Sequence, residues 1–213
     1  MPDFRGRFRV YEEFLQPGKS DIILSIGCKG GFFERNLVDK VGRIYGIDID
    51  KNEIEKNREK CPWVCFSHGD ITKGLGFPDN HFNKVLFTEV IEHLPKGTEV
   101  SVLKEINRVL KKGGVLVFST PNDNPVSKAS DPAWWINGHK HYRIEDITTF
   151  LVESGFRIEN KFVGGGYLQS LVMPFFYLLC GLNLYNEGTL ERLVGHEYEN
   201  NGFWTIIIKA RKS

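Results

Sequence analysis

The feature that most constrains this chain is the alternation of short apolar runs with charged, amphipathic stretches along most of its 213 residues. The apolar runs predict strands at 21–26, 43–48, 63–67, 82–88, 114–119, 156–163 and 203–210. The stretches between the early strands predict helices at about 32–40, 51–60 and 98–111. Such alternation implies right-handed crossovers, and runs such as DIILSI are apolar throughout, as in strands covered on both faces. We therefore predict an α/β fold with a Rossmann-like, doubly wound and mostly parallel sheet.

Two stretches fall outside this rhythm. Residues 121–144 are rich in Pro, Asn, Asp and Trp, and residues 164–202 begin with three glycines and contain the run LVMPFFYLLCGL. We predict one domain over 1–213, with both stretches as insertions that cover a pocket. The apolar run is too short to span a bilayer, and Pro174 should limit its length as one helix. Because it is apolar on all sides, it should bury most of its surface. It would roof the pocket, pair two copies or touch a membrane.

Composition excludes several classes of protein. There are 28 basic against 27 acidic side chains, a net charge of +1, whereas dedicated nucleic-acid binders carry a strong basic excess. We expect no nucleic-acid partner. The cysteines, Cys28, Cys61, Cys65 and Cys180, form no CxxC pair and show no disulfide-like spacing, which favours a reducing, cytoplasmic location. The N-terminal residues MPDFRGRFRVYEEF lack the apolar core of a signal peptide.

A glycine-rich turn follows the first predicted strand, in ILSIGCKGGF over residues 23–32. In an open parallel sheet, ligands bind beyond the carboxyl ends of the strands, where the strand order reverses. Glycines let the backbone approach a ligand, and the N-terminus of the following helix favours a negative group. The turn from Gly27 to Gly31 is therefore a candidate nucleotide site, although a glycine turn after a strand is also an ordinary structural device.

Two carboxylates sharpen this prediction. Asp48 ends the second strand about twenty residues after the glycines, where it can accept hydrogen bonds from both ribose hydroxyls. Asp50 is better explained as the N-cap of the following helix. Asp70, just past the third strand, can accept from an adenine amino group or simply form a turn.

The succession of motifs resembles the class I S-adenosylmethionine-dependent methyltransferases, especially those of ubiquinone and menaquinone biosynthesis. From about residue 20 to 160, the matching pieces are ILSIGCKGG, IYGIDIDKNEIEKNRE, GD…FPDNHFNKVLFTEVIEHLP, LKEINRVLKKGGVLVFSTPN and HYRIEDITTFLVESGF. The pair FTEVIEHL and LKKGGVLVFSTPN is more specific than the glycine turn. The resemblance implies a seven-stranded sheet whose last strand, FWTIIIKARK, runs antiparallel.

The resemblance also implies S-adenosyl-L-methionine as cofactor and assigns residues to its parts. Gly27, Cys28 and Gly31 would line the methionine portion, Asp48 would hold the ribose, Asp70 and Ile71 the adenine, and Thr88 and Glu89 the floor near the sulfonium. Ile49 and Lys29 complete the predicted cofactor-binding set.

Two departures from the family pattern bear on this site. Ser25 stands where the family's loop usually has an acid, which removes a partner for the cofactor's ammonium group. Lys29 stands where the family has glycine, and we expect it to face the cofactor's carboxylate or to point into solvent.

The acceptor is less defined. The chain lacks the Asn/Asp-Pro-Pro-aromatic run that nucleic-acid amino methyltransferases carry, and this favours a small-molecule or lipid-like, partly apolar acceptor. Candidate catalytic residues are His93, His139 and His141, each of which also has a structural interpretation. No acidic partner for His139 and His141 is evident from spacing, so we predict no metal. Trp134 and Trp135 would either wall the acceptor pocket or anchor their loop.

Three functions fit the sequence. The favoured one is methyl transfer to a small molecule, such as a quinone, lipid or sugar-linked precursor. The alternative is a binding or regulatory module with impaired catalysis, suggested by Ser25 and Lys29. A nicotinamide-dependent oxidoreductase fits less well, because a full G-x-G-x-x-G and a Tyr-x-x-x-Lys pair on a suitable helix are missing. Residues 167–182 could mediate homodimerisation or peripheral membrane contact.

Overall fold

The computed structural model describes residues 5–181 and 187–213, which form one seven-stranded sheet flanked by helices. The strands are β1 Ile22–Ile26, β2 Arg43–Asp48, β3 Cys65–His68, β4 Phe82–Thr88, β5 Leu110–Pro121, β6 Phe156–Gly164 and β7 Thr205–Lys212. The helices are α1 Arg7–Leu15, α2 Phe32–Leu37, α3 Lys51–Lys60, α4 Glu99–Val109, α5 Pro125–Ser130, α6 Pro132–Asn137, α7 Ile144–Glu153, α8 Tyr167–Gly181 and α9 Glu187–Val194. Short 3-10 turns occupy Val38–Lys40, Ile71–Lys73, Ile91–His93 and Gly195–Tyr198.

The sheet has the order β3-β2-β1-β4-β5-β7-β6. Strands β1 to β5 are parallel, and β7 runs antiparallel to both β5 and β6. The predicted fold class, including the antiparallel last strand, is confirmed. The strand order reverses between β1 and β4, so a crevice opens beyond the carboxyl ends of these two strands.

Alternate strand residues feed two apolar layers, one on each face of the sheet, because side chains in a strand point to opposite faces in turn. On one face, Leu24 and Phe87 pack in a cluster that includes buried residues of α4 and α7. On the other face, Ile23 and Leu86 pack with buried residues of α1, α2 and α3. The sheet is thereby held rigidly from both sides, and its strand ends can position a site.

The N-terminal helix α1 was not predicted. Its buried residues Phe8, Tyr11 and Leu15 recur at i, i+3 and i+7, the spacing of one helix face, although the interspersed charges mask the pattern. Arg7 anchors the helix: its backbone N–H donates to Glu191 Oε2 at 3.0 Å, and its Nε lies 2.8 Å from Glu191 Oε1. This pair joins two segments that are 184 positions apart in sequence.

Helix α8 departs from expectation in two ways. It continues through Pro174 rather than ending there. It also leaves a stripe of large apolar side chains exposed instead of burying most of its surface: Tyr167, Leu171, Phe175 and Leu178. Phe176 is buried on the opposite side. The predicted insertion 164–202 includes residues 182–186, which lie outside the described residues, as does the Cys180 side chain. In the described part of the chain, no helix is long and apolar enough to cross a membrane.

Candidate active site

The glycine turn begins where β1 ends, with Gly27 in the left-handed region at φ 76°. A Cβ at this position would lie 2.2 Å from Val90 Cγ2, so glycine is required both by conformation and by space. The amides of Gly27 and Cys28 donate to the carbonyl of Ile47, at 2.8 and 3.2 Å. These two bonds tie the turn to the carboxyl end of β2, beside Asp48.

Asp48 stands at the end of β2 and is half-buried. Its Oδ2 accepts from the amide of Lys29 at 2.7 Å, and its Oδ1 accepts from the amide of Asp50 at 2.9 Å. A carboxylate oxygen has a second lone pair, so each can still accept a hydroxyl. Two aligned acceptors with spare capacity suit the paired hydroxyls of a ribose. Asp50 caps α3 as predicted, accepting from the amides of Asn52 and Glu53.

Lys29 adopts φ 39°, in the left-handed region that favours glycine. The strained backbone directs its amide to Asp48 and its carbonyl to the Asn57 side chain, while the lysine side chain is exposed at the cavity rim. The position that carries glycine in the family therefore retains a glycine-like conformation here.

A cavity of about 600 Å³ lies beyond the ends of β1, β2 and β4. Its volume is within the usual ligand range of roughly 300–1,000 Å³. Beside Asp48, Ile49 is 68% exposed and offers an apolar side chain to the cavity. The predicted site residues that line this cavity are Gly27, Lys29, Asp48, Ile49, Asp70, Ile71, Glu89 and His93. Acceptors for a ribose next to an apolar slot fit the nucleoside part of S-adenosylmethionine.

Asp70 lies on the rim of this cavity and caps the turn Ile71–Lys73, so its predicted turn-forming role is present. Hydrogen bonds from the hydroxyl and amide of Thr72 lower the pKa of Asp70. The carboxylate is thus held ionised at the cavity edge, where it remains a candidate acceptor for an amino group.

A second cavity, of about 310 Å³, adjoins the first. The two share Gly27, Lys29, Glu89 and His93. The other residues that line the second cavity are Arg7, Phe8, Tyr11, Ser25, Cys28, Phe32, Phe33, Glu34, Thr88, Glu92, Ala133, His139 and Tyr177. Molecules bound in the two cavities would therefore meet beside the shared residues.

Glu89 marks the junction of the cavities and follows β4 with φ 55°. A non-glycine residue in this conformation indicates a locally constrained backbone, which is common at functional sites. Its Oε1 accepts from Ser119 Oγ at 2.6 Å, and Ser119 Oγ is in turn 2.7 Å from the hydroxyl of Tyr11. Burial, and then the neighbouring Glu92 carboxylate, raise the pKa of Glu89. The structure thereby places a fixed carboxyl group of raised pKa at the junction.

Ser25 has an acidic partner that sequence reasoning missed. Its hydroxyl donates to Glu34 Oε1 at 2.5 Å, and Glu34 is buried in the first turn of α2. Both line the second cavity. The fold therefore supplies, from α2, a carboxylate beside the position at which the family's loop usually carries one.

A cluster of ionisable side chains lies beside His93, formed by Glu92, Asp131, His139 and His141. His139 Nδ1 lies 2.9 Å from Asp131 Oδ2, and His141 Nε2 lies 2.9 Å from the same oxygen. Burial alone would lower the pKa of His139, but its hydrogen bond to Asp131 and the nearby Glu92 carboxylate raise it to about 10. Burial, and then the charge of His139, lower the pKa of His93. Spacing had suggested no acidic partner for the histidines, and this expectation was wrong: both bond Asp131, eight to ten residues upstream.

Some predicted residues lie away from the cavities. Gly31 caps α2 at φ 66°, where an added Cβ would press on Phe66 and Asn57. His141 is fully buried, with its Nδ1 bonded to the carbonyl of Asn122. Trp134 packs edge-on against His141, whereas Trp135 is exposed. Neither tryptophan is among the residues lining the two cavities, so anchoring describes Trp134 better than an aromatic wall.

Comparison with known proteins agrees with this geometry. Residues 24–118 match the family described as "Methyltransferase domain". A protein of Mycolicibacterium smegmatis named "Probable S-adenosylmethionine-dependent methyltransferase" is 29% identical over 169 residues, which is 78% of this chain and 65% of that protein. A probable methyltransferase of Aspergillus luteorubrus is 34% identical over 118 residues, 48% of this chain and 41% of that one. The chain thus spans less than two thirds of the curated relatives it matches.

Solved structures share the fold at low sequence identity. An S-adenosylmethionine-dependent methyltransferase from Archaeoglobus fulgidus superposes with a TM-score of 0.67 and 22% identity, covering 97% of this chain and 91% of that one. The [4+2]-cyclase SpnF superposes with a TM-score of 0.70 and 20% identity, covering 97% and 80%. Residues 24–118 therefore match a methyltransferase domain, and the chain shares its fold with solved structures of S-adenosylmethionine-dependent methyltransferases. The predicted cofactor, S-adenosyl-L-methionine, is the one that this class uses.

Proposed function

We propose that this protein transfers a methyl group from S-adenosylmethionine to a small, partly apolar acceptor. The observation that carries the proposal is the pair of adjoining cavities, one suited to a nucleoside and one suited to an acceptor, which meet at Glu89 and His93. Methyl transfer is an in-line displacement, so the main task of the protein is to align the two reactants. The cofactor, when bound, supplies the activated methyl group.

Different residues of this chain would bind different parts of the cofactor. Asp48 holds the ribose hydroxyls, and Ile49, Asp70 and Ile71 accommodate the adenine. Glu34, positioned by Ser25, pairs with the ammonium group at the methionine end, so the replacement of the loop acid by serine does not remove a carboxylate from the site. The predicted roles of Gly27, Cys28, Lys29 and Thr88 stay predictions with the same support: they line the cavities.

On the acceptor side, Phe8, Phe32 and Phe33 add apolar surface to the second cavity. This supports a ring or a chain next to a group that can be methylated. Relatives named "Ubiquinone biosynthesis O-methyltransferase" include one from Alkalilimnicola ehrlichii, 28% identical over 109 residues, 49% of this chain and 43% of that one. A hydroxylated, partly apolar acceptor such as a quinone precursor is the class that we favour, in a cytoplasmic location.

The test is turnover. Purified protein with S-adenosylmethionine and a panel of hydroxylated aromatic, lipid and sugar-linked acceptors should yield S-adenosylhomocysteine only when an acceptor is present. Calorimetric titration with S-adenosylhomocysteine should show one binding site. Tight binding of S-adenosylhomocysteine without turnover of any acceptor would favour the alternative, a binding or regulatory module. The cyclase that shares this fold shows that the architecture alone does not specify methyl transfer. Absence of binding would contradict both.

We further propose that residues 121–144 and 164–202 cover the acceptor pocket, since His139 and Tyr177 line the second cavity. The exposed apolar stripe of α8 is then available for a second copy of the chain or a membrane surface. Replacing Leu171 and Phe175 by glutamate should lower the solution mass in the first case and liposome binding in the second. Unchanged values of both would exclude these partners, and cofactor affinity serves as the folding control.

A further inference from the structure

Two buried polar atoms face each other at ion-pair distance, and among the described residues neither makes a hydrogen bond. They are Glu92 Oε1 and His139 Nε2, 3.7 Å apart. The Glu92 side chain is fully buried and that of His139 is 10% exposed. A buried ion pair at this distance, without a hydrogen bond, does not replace the water that both atoms lost on burial. A bound ion that contacts both atoms would satisfy them.

We propose that Glu92, His93 and His139 bind a divalent transition-metal ion, for which Zn²⁺ is the best match. One ligand atom from each of the three lies within 4.8 Å of the others. Metal–ligand bonds of about 2.0–2.2 Å place two ligand atoms of one ion about 3–4 Å apart, so the separation of Glu92 and His139 already fits. His93 is exposed and can move its ring by the small remaining distance.

The surroundings of His139 support the assignment. A metal-binding histidine commonly donates its other ring N–H to a carboxylate, which fixes the tautomer and orientation. His139 Nδ1 bonds Asp131 Oδ2, and this leaves Nε2 directed at Glu92 and the cavity. Asp131 is held in its turn by His141 and by the amide of Ala133. Glu92 is oriented by Thr120, whose hydroxyl donates to Oε2 at 3.0 Å and leaves Oε1 for the ion.

Two imidazoles and one carboxylate are a ligand set of catalytic zinc sites, which keep a position open for substrate. Because His93, Glu92 and His139 line the second cavity, the open side faces the proposed acceptor site. An ion there would bind an acceptor hydroxyl and lower its pKa, so that its proton is released to solvent. The oxyanion would then bond the methyl carbon as the bond from that carbon to the cofactor's sulfur breaks, with S-adenosylhomocysteine as the leaving group. This role of the ion rests on the proposed methyl transfer, whereas binding of the ion does not.

The experiment uses the tag-free, chelator-treated chain of residues 1–213 in a Cys65→Ser background, because Cys65 is an exposed thiol that could bind zinc adventitiously. Equilibrium dialysis against Zn²⁺, and separately Mn²⁺, followed by elemental analysis should give one bound ion per chain. Glu92→Gln and His139→Gln should abolish stoichiometric binding. Asp131→Asn should weaken it by about 10–100-fold. His196→Gln, at an exposed histidine outside the cluster, is the matched control and should bind as the background does.

Folding is checked independently through S-adenosylhomocysteine affinity, which the two ligand variants should retain. If one variant fails to fold, the other still decides. The proposal is overturned if the Cys65→Ser protein binds neither Zn²⁺ nor Mn²⁺ stoichiometrically. It is also overturned if Glu92→Gln and His139→Gln bind the ion as well as that protein does. Glu92 and His139 would then form only a loose ion pair. Turnover that persists with chelator and without bound ion overturns the ion's role alone. Stoichiometric binding with no turnover of any acceptor counts instead against the proposed function.

Discussion

The two cavities of this protein are built differently. The nucleoside-sized cavity is formed by short segments that each follow a strand: the turn after β1, Asp48 at the end of β2, and Asp70 after β3. The second cavity includes residues that are distant in sequence and do not follow a strand, such as Arg7 of α1, Glu34 of α2 and His139 beyond α6. Parallel strands bring their carboxyl ends to one edge, so the first site follows from the order of elements. The second depends on how α1, α6 and α8 pack.

The largest effect should come from breaking the packing that encloses the second cavity. Arg7→Met leaves the buried Glu191 carboxylate without its charged partner, and removing one member of a buried pair costs about 3–5 kcal/mol. Urea denaturation should show this loss in the free energy of unfolding. The double variant Arg7→Met with Glu191→Met should recover most of it. A single variant as stable as the wild type would mean that α1 is not anchored by this pair.

In the nucleoside cavity the expected effect is on binding rather than on folding. Asp48→Ala removes two hydrogen bonds to a charged acceptor, each worth about 1.5–3 kcal/mol, so the affinity for S-adenosylhomocysteine should fall by about 100-fold or more. Calorimetric titration measures it, and the shape-conserving Asp48→Asn serves as the control. Wild-type affinity in Asp48→Ala would remove the basis for the site assignment.

Glu34 lines the second cavity, into which the methionine end of the cofactor would extend, and its variant separates the contributions of the parts of the cofactor. Glu34→Gln should weaken S-adenosylhomocysteine binding by about 10-fold, the value of one charge-assisted hydrogen bond. Binding of 5′-methylthioadenosine, which lacks the amino-acid end, should not change. Ser25→Ala should show a smaller loss in the same direction, because Ser25 only positions the carboxylate. Equal losses for the two ligands would show that Glu34 acts through the fold.

The smallest effect concerns Lys29, whose backbone is in the left-handed region. This conformation costs a non-glycine residue about 1–2 kcal/mol. Glycine would avoid that cost, but its greater conformational entropy in the unfolded chain would offset about 0.5–1 kcal/mol of the gain. Lys29→Gly should therefore raise the free energy of unfolding by about 0.5–1 kcal/mol. If the side chain meets the cofactor carboxylate, binding of S-adenosylhomocysteine should weaken a few-fold at low salt, with the difference shrinking as salt rises.

Gln16→Gly is the matched control for that variant, since Gln16 also has a positive φ of 49° but lies at the end of α1 and not in either cavity lining. It should change stability without changing cofactor affinity. Tighter cofactor binding by Lys29→Gly would identify the lysine as an obstruction and favour the impaired-catalysis alternative.

The sequence by itself determined the strands of the sheet and the residues that follow them, and its resemblance to a family implied that the last strand runs antiparallel. Apolar runs and turn residues act locally, and a strand end is where its neighbours in sequence must also lie in space. Asp48, Ile49 and Glu89 are found in the cavities for this reason. Alternation could not reveal α1, whose buried face is interrupted by charged residues.

Only the tertiary structure decided the partners. The pairs Ser25–Glu34, Arg7–Glu191, Glu92–His139 and Asp131–His139 join groups from different elements, and nothing in their spacing marks them as neighbours. The same holds for α8, where an apolar sequence predicted burial but packing buried one side and exposed another. Burial and pairing depend on which faces meet in three dimensions, and a side chain's local sequence specifies only the element that carries it.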